Sequence, residues 1–216
     1  AACGGATTTD VSYTCEFPLW HIADPTDNAT NTPATLSATN WTAGVLGIDD
    51  NFATGTMSTS TSPVDLTSFT AIGIENRNIA YAPTAPGEDT GTDNASSTLQ
   101  NLGNTGVDQE VQGEDMCDTF APGNECTPDP TATIPADQQQ FAANTFDYGV
   151  GQDGSLASTT YTELELDVAK NTSTSTPTIG VTYWGIAVPS SITISGSYTG
   201  LNSFIGVTAE PTDWGI

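Results

Sequence analysis

The chain has 216 residues and a formal net charge of −24 at pH 7, because only two basic residues, Arg77 and Lys170, stand against 26 Asp and Glu. This balance argues against nucleic acid and anionic lipid as partners, since both are bound through Lys and Arg. Cations from the medium are the natural counter-charge for so many carboxylates. Seven Phe, six Tyr and four Trp lie in patterned segments, which indicates a folded chain rather than a disordered one.

Strand patterns dominate the chain from its beginning. An alternation of apolar residues with polar residues or Pro runs from Val11 to Leu19, and Leu164, Leu166 and Val168 alternate with acidic residues. Such period-2 patterns predict half-buried β-strands. Further strands are predicted in segments that are rich in Thr, Val, Ile and aromatic residues: 41–48, 52–60, 67–74, 98–101, 107–112, 179–188, 192–194 and 203–209.

Helix signals are nearly absent, and one short helical turn is predicted within 135–144, where Pro135 can occupy a first turn. Many short strands separated by Gly and Pro turns predict an all-β fold of antiparallel, immunoglobulin-like β-sandwiches. Long loops are expected at 82–94 and 114–135, and a boundary is expected near 60–65. The boundary gives an N-terminal β-strand segment, residues 1–64, and an immunoglobulin-like domain, residues 65–216.

The N-terminal segment is too short to form a complete sandwich. It offers three or four predicted strands, whereas an immunoglobulin-like sandwich needs about seven. Unpaired strand edges and an uncovered apolar face are unfavourable in water. We therefore expect that the larger domain or a neighbouring subunit completes this segment.

Four cysteines form two local pairs, Cys3 with Cys15 and Cys117 with Cys126. Neither pair has the Cys-x-x-Cys spacing of a zinc site, so local disulfides and an oxidising, extracellular setting are the preferred interpretation. Four inert buried thiols are the alternative. Four Asn-x-Ser/Thr sequons suit a surface glycoprotein, although such triplets are expected by chance in a Thr- and Asn-rich chain: Asn28, Asn40, Asn94 and Asn171.

Several segments resemble immunoglobulin-like surface domains found in candidate-phyla bacteria and some archaea. The similarity is carried by Asn-Leu-Gly-Asn-Thr-Gly at 101–106, by 107–113, by Thr-Tyr-Trp-Gly-Ile-Ala-Val-Pro at 182–189 and by 196–204. The cysteine pair after Asp115 and the Gln-rich turn at 138–140 belong to the same pattern. The resemblance covers most of the chain and implies an extracellular structural or filament subunit. Its motifs mark turns and core strands, so it implies no catalytic residue.

Carboxylates gather at four places that are predicted to be loops or strand ends: 49–51, 89–94, 108–110 and 114–118. Calcium takes about six to eight oxygen ligands, often from Asp, Asn and backbone carbonyls. None of the four runs has EF-hand spacing. The sequence predicts a structural calcium site with Asp49, Asp50 and Asp115 as contributors, and a solvated acidic face is the alternative.

No catalytic constellation stands out, and the chain is predicted not to be an enzyme. His21 is the single histidine, and it is expected to be a strand residue rather than the base that a nucleophile needs. A glycosidase would need two facing carboxylates, which 26 acids neither indicate nor exclude. Lys170 is expected to be an exposed lysine that balances Glu165 or Asp167, and an isopeptide crosslink is the alternative.

The four tryptophans, Trp20, Trp41, Trp184 and Trp214, have two interpretations. Core packing is the default for Trp within strands, and a sugar-stacking platform is the alternative. Trp214 differs from the others because it lies close to the C-terminal residue, where it could dock into a neighbouring subunit.

Together these features predict a secreted structural subunit that polymerises with copies of itself into an extracellular filament, sheath or surface layer. Inter-subunit β-strand contacts would hold the polymer together, and residues before about Thr61 would contact the neighbour. The alternative is a calcium-dependent adhesin or carbohydrate-binding module that recognises cell-surface glycans. No run of about 18 apolar residues occurs, so membrane insertion is not expected. The opening Ala-Ala-Cys resembles a mature N-terminus after cleavage or the start of an excised fragment.

Overall fold

The computed structural model describes Glu16, residues 18–120, Cys126 and residues 132–216. Helices are short: α1 (Ala34–Ser37) and one 3-10 turn (Ala136–Gln138). No helix among these residues has the length and apolarity needed to cross a membrane. The strands of this part of the chain are β1 (Gly44–Val45), β2 (Ser58–Thr59), β3 (Ile72–Ile74), β4 (Ala95–Asn101), β5 (Val107–Gly113), β6 (Met116–Cys117), β7 (Thr133–Ile134), β8 (Gln139–Ala142), β9 (Gly154–Ser155), β10 (Thr162–Val168), β11 (Ile179–Ile186) and β12 (Asn202–Thr208).

Two antiparallel sheets form a β-sandwich. One sheet has five strands in the order β3-β4-β11-β8-β9, and the other has three in the order β10-β5-β12. Trp184 of β11 is fully buried between them, 5.7 Å from the ring of Phe141 and 5.9 Å from the ring of Phe204 across the gap. Its indole N–H donates to Ser97 Oγ, 2.9 Å away. The predicted all-β sandwich is therefore confirmed, while its immunoglobulin-like character stays a prediction.

Close approach of the sheets at one edge requires a glycine. A Cβ on Gly206 of β12 would lie 2.5 Å from Ile72 Cγ2 of β3, which is closer than any real side-chain contact. The strand β3 therefore lies directly over β12, and these two strands form the same side of the sandwich.

Several sequence predictions need correction. The helical turn predicted within 135–144 is present as the 3-10 turn Ala136–Gln138, which directly follows Pro135. It does not continue, because residues 139–142 form β8: pairing with β11 overrides the helix propensity of the Gln-Gln-Gln-Phe-Ala run. The segment 192–194 forms no strand: Ile192 is buried against Ile134 of β7 and Ile186 of β11, but the segment pairs with no described strand. The strands predicted at 41–48 and 52–60 shrink to the two-residue pairs β1 and β2. The Val11–Leu19 pattern lies almost entirely outside the described residues.

One disulfide joins Cys117 to Cys126, as the local pairing predicts. Cys117 is completely buried and lies in β6, which pairs with β7. The bond therefore closes a loop within the 114–135 connection, and backbone hydrogen bonds between Cys117 and Thr199 hold that connection to the segment before β12. The second predicted pair, Cys3 and Cys15, lies outside the described residues.

Candidate functional site

Residues 24–33 of the N-terminal segment lie on the chain's own sandwich. The Asp27 carboxylate accepts hydrogen bonds from the amide and the hydroxyl of Ser68, at 2.7 and 2.6 Å. The amide of the buried residue Thr26 donates to the Leu66 carbonyl at 2.9 Å, and Asn31 Nδ2 donates to the Thr208 carbonyl at 3.1 Å. The hydrogen-bond partners of this part of the segment are therefore supplied by its own chain.

Lys170 strengthens that attachment, contrary to the expectation of an exposed lysine. Its side chain is 4% exposed, and its Nζ lies 2.9 Å from Asp24 Oδ1 in the one ion pair among the described residues. The same Nζ donates to the carbonyls of Ile22 at 3.0 Å and Asn171 at 3.1 Å. Lys170 thus links the N-terminal segment to the strand ends of the sandwich rather than balancing Glu165 or Asp167.

Residues 41–64, called the arm, form a two-stranded ribbon that leaves the sandwich. Every residue from 44 to 65 is exposed. An isolated two-stranded hairpin is marginally stable in water at best, so this ribbon lacks the partner layer that such a structure needs. Its antiparallel register is Trp41 with Val64, Gly44 with Thr59, Val45 with Ser58 and Ile48 with Thr54.

The arm presents six large apolar side chains to solvent: Val45 (63% exposed), Leu46 (46%), Ile48 (62%), Phe52 (86%), Met57 (61%) and Val64 (57%). Scattered single apolar residues on a surface need no explanation, but six exposed large apolar side chains on one short ribbon indicate an interaction surface. The arm is the largest such group on one element among the described residues.

The turn at the end of the arm is ordered around Asp49. Its Oδ1 accepts the amides of Asn51 at 3.0 Å and Ala53 at 2.7 Å, and its carbonyl accepts the Phe52 amide at 3.0 Å. Phe52 has φ = 63°, in the left-handed region that costs a non-Gly residue about 1–2 kcal/mol. The turn therefore holds the most exposed aromatic ring of the arm outward against an intrinsic backbone preference.

A cleft of about 510 Å³ opens beside the start of β12. Its two walls are residues 77–84, which follow β3, and residues 196–202, which lead into β12. Its floor contains apolar side chains from both sheets and from the β6–β7 pair, and Arg77 lies at its rim. The apolar lining includes Ile79, Tyr81, Met116, Ile134 and Phe204.

The wall 77–84 is not paired with another strand through its backbone, and the two backbone groups with partners, the Asn78 amide and the Ala82 carbonyl, bond to side chains. Ile79 and Tyr81 point towards the core while their neighbours are exposed, which is the alternation of a strand. However, the segment makes no backbone–backbone hydrogen bond to any described residue. Likewise β12 pairs with β5 alone in the part of the chain that the structure describes. The cleft is thus flanked by strand edges that can accept another strand.

A second site lies on the outer face of the three-stranded sheet, where ligand oxygens of Asp108, Glu165 and Glu210 lie within 4.8 Å of one another. Asp108 is 1% exposed, and its Oδ1 accepts the amides of Leu166 at 2.9 Å and Asp167 at 2.8 Å. These bonds hold a β-bulge in β10, in which Glu165, Leu166 and Asp167 oppose Asp108 alone. Asp108 Oδ2 is buried without a hydrogen-bond partner among the described residues.

The electrostatics of this second site follow from burial and like charge. Burial raises the pKa of the Asp108 carboxyl above its usual value, and the two amide bonds oppose that shift in part. Burial also raises the pKa of Glu165, with a further contribution from the charge of Asp108. The cluster is therefore a place where negative charge is concentrated beyond what the surroundings neutralise.

The predicted calcium ligands do not come together. Asp49 serves the turn of the arm, Asp50 lies beside it, and Asp115 Oδ1 accepts the Ala136 amide at 2.8 Å. None of them belongs to the Asp108 cluster, so calcium at these residues stays a prediction. Glu165 and Glu210 were missed as ligands because they lie far from Asp108 in the sequence, in β10 and two residues after β12. Of the three residues, only Asp108 belongs to an acidic segment, 108–110, that the sequence analysis identified.

The asparagines of the four sequons differ in exposure. Asn28 and Asn40 are exposed, Asn94 Nδ2 is buried, and Asn171 is buried with its Nδ2 donating to the Asn101 carbonyl. Glycosylation at the four positions stays a prediction.

The expectation that Trp214 docks into a neighbour is wrong, because its ring is completely buried in its own chain and its indole N–H donates to the Ala209 carbonyl. Trp184 is likewise buried in the core. Trp41 donates to Asp24 O, and Trp20 is 62% exposed.

Comparisons of the chain with protein-family models, with curated proteins and with solved structures gave no match. The function must therefore be inferred from the arm, the cleft and the acidic cluster themselves.

Proposed function

We propose that this chain is a secreted structural subunit that polymerises into an extracellular filament, sheath or surface layer. The observation that carries the proposal is the arm, an ordered two-stranded ribbon whose apolar side chains are covered by no described part of the chain. We further propose that the arm of one copy enters the cleft of the next. The Cys117–Cys126 disulfide supports an oxidising compartment.

Apolar burial of the arm alone is not sufficient to make the contact between two copies stable. Burying a large apolar side chain fully contributes about 1.5–3 kcal/mol, so the six exposed apolar side chains of the arm contribute roughly 9–18 kcal/mol at most. Association itself costs about 4–15 kcal/mol. The side chains alone therefore do not guarantee a stable contact, and main-chain hydrogen bonds must supply part of the difference.

The cleft offers those main-chain bonds. A strand that is added beside residues 77–84 would pair with backbone groups that make no backbone hydrogen bond to the described chain. Its apolar side chains would meet Ile79, Tyr81 and Phe204. Strand addition gives affinity through the backbone and specificity through such side-chain pockets.

Charge complementarity favours a second copy as the occupant. Copies with a net charge of −24 repel one another, so a contact between them needs local attraction. Arg77 at the rim of the cleft is exposed and forms no ion pair with a described residue, whereas Lys170 is buried and paired. The exposed carboxylate of Asp50 lies next to Phe52 at the end of the arm, and pairing it with Arg77 would set the register of the contact.

The arrangement also determines the kind of assembly. The arm and the cleft are different surfaces of one chain, so contact between them is head-to-tail. A head-to-tail contact gives a ring if the rotation closes and an open filament if it does not. Either result is an ordered polymer, and electron microscopy of the protein across a concentration series would reveal it. A monodisperse monomer that bound immobilised glycans would instead favour the adhesin alternative.

Exchanging the charges tests the register directly. We expect Asp50→Arg and Arg77→Asp each to raise the concentration needed for polymerisation about fivefold or more, and the double variant to recover most of that loss. Asp93→Arg makes the same change in net charge as Asp50→Arg at an exposed position outside both surfaces, so it is the control. Sedimentation of each variant across protein concentrations gives the measurement. Additive losses in the double variant would exclude the Asp50–Arg77 contact.

A further inference from the structure

The three carboxylates on the outer face of the small sheet lie in two of its strands and just beyond the end of the third. Asp108 is in β5, Glu165 is in β10, and Glu210 follows β12 by two residues. Calcium–oxygen distances are about 2.3–2.6 Å, so two ligands on opposite sides of one ion lie roughly 4.6–5.2 Å apart. The separation of at most 4.8 Å among these oxygens fits ligands that surround a single calcium ion.

The buried Asp108 oxygen is an independent indication of a ligand. Asp108 is 1% exposed, and while Oδ1 accepts two amides, Oδ2 has no hydrogen-bond partner among the described residues. A buried polar atom without a partner is unfavourable, and a buried charge is more so unless it is paired or bound to a metal. No Lys, Arg or His contributes to this cluster, so a cation from solution is the partner that its chemistry calls for.

We propose that Asp108, Glu165 and Glu210 bind one calcium ion, which links the three strands of the β10-β5-β12 sheet at one end. Asp108 Oδ2 and the two Glu carboxylates can supply up to about five oxygens, and water at the exposed Glu165 and Glu210 completes the shell. The donors are all oxygens, which suits calcium or magnesium rather than zinc or copper. Magnesium needs near-ideal octahedral geometry, whereas one fixed and two mobile carboxylates suit the flexible shell of calcium.

Calorimetric titration of Ca²⁺ into the full-length, chelator-treated protein tests the site. We expect binding in the range of about 10⁻⁴–10⁻³ M that is typical of extracellular modules, and a weaker response to Mg²⁺. Asp108→Asn, Glu165→Gln and Glu210→Gln should each weaken binding about tenfold or more. Glu110→Gln is the matched control, because Glu110 is the next residue on the same face of β5 and lies outside the cluster.

The variants are chosen so that loss of fold cannot imitate loss of the site. Asn at 108 retains an Oδ1 that can accept the amides of Leu166 and Asp167, and the side chains of Glu165 and Glu210 are exposed. Circular dichroism should therefore show unchanged secondary structure in the two Glu variants. The proposal would be overturned if the wild type did not bind Ca²⁺, or if all three cluster variants bound Ca²⁺ as tightly as the wild type. It would also be overturned if the wild type bound Mg²⁺ more tightly than Ca²⁺. None of these results depends on polymerisation.

Discussion

Replacing Phe52 by Ser is expected to raise the concentration needed for polymerisation about 30-fold, because burial of one such ring contributes about 2 kcal/mol at each contact. The ring is 86% exposed in the isolated chain, so the substitution removes nothing from the fold of the subunit. The thermal midpoint of the dilute monomer should therefore be unchanged. Sedimentation velocity across a dilution series measures the first quantity, and differential scanning calorimetry measures the second.

Val150→Ser is the control for that experiment, since Val150 is 69% exposed and lies outside both the arm and the cleft. It should polymerise like the wild type. A stronger variant replaces residues 44–59 by Asn-Gly, which can close a hairpin because the Ser60 amide already donates to the Ala43 carbonyl at 2.8 Å. We expect a folded monomer that does not polymerise at any concentration. Polymers formed by the shortened chain would show that the arm is not the contact.

Replacing Lys170 by Met is expected to lower the free energy of unfolding by about 3 kcal/mol. The substitution keeps much of the buried aliphatic volume but removes the donor shared by Asp24 Oδ1 and the carbonyls of Ile22 and Asn171. A buried acceptor that loses its donor costs about 1–3 kcal/mol, whereas Asp24 is about half exposed and can be hydrated. Urea denaturation of the monomer measures the loss.

Arg77→Met is the matched control, because it removes the other basic residue from an exposed position. Its unfolding free energy should stay within about 0.5 kcal/mol of the wild type. In the Lys170→Met variant, hydrogen exchange at residues 22–33 should quicken more than exchange in β4 or β11. A loss of less than about 1 kcal/mol, or one shared equally by Arg77→Met, would mean that Lys170 does not fasten the N-terminal segment.

The strands of the sandwich follow largely from sequence periodicity. The Leu164–Val168 alternation places Leu164 and Val168 in the core, and 107–112 and 203–209 mark β5 and β12 to within a residue or two. The strand β8 could not be recognised in this way, since its Gln-rich composition favours a helix and only its pairing with β11 decides the outcome. Local pattern therefore predicts strands that have a strong alternation of their own.

The residues of the candidate sites could not be predicted, because they are brought together by long-range contacts that sequence periodicity does not encode. Lys170 meets Asp24 across 146 positions of sequence, and nothing in the neighbouring residues indicates that pairing. Asp108, Glu165 and Glu210 meet only because three strands align at one end of a sheet. By contrast, Asp49 and Asp50 were recognised as a loop carboxylate pair, but the structure uses Asp49 to order the turn of the arm.

The structure limits which part of the N-terminal segment needs a neighbouring subunit. Residues 24–33 hydrogen-bond to residues 66–68 and to Thr208, so they need no neighbour. Residues 44–65 are exposed throughout. The need for a partner is thereby confined to the arm, and the proposal of strand addition concerns this ribbon rather than the whole first quarter of the chain.

Hydrogen–deuterium exchange compared between the dilute monomer and the assembled protein tests the central proposal most directly. If the arm enters the cleft of the next copy, the amides of residues 44–59 and of residues 77–84 should both become protected on assembly. The strands β4 and β11 should exchange alike in the two samples. Rapid exchange of both segments in the assembled protein would contradict the proposal, because a ribbon covered by a neighbour cannot keep its amides open to water.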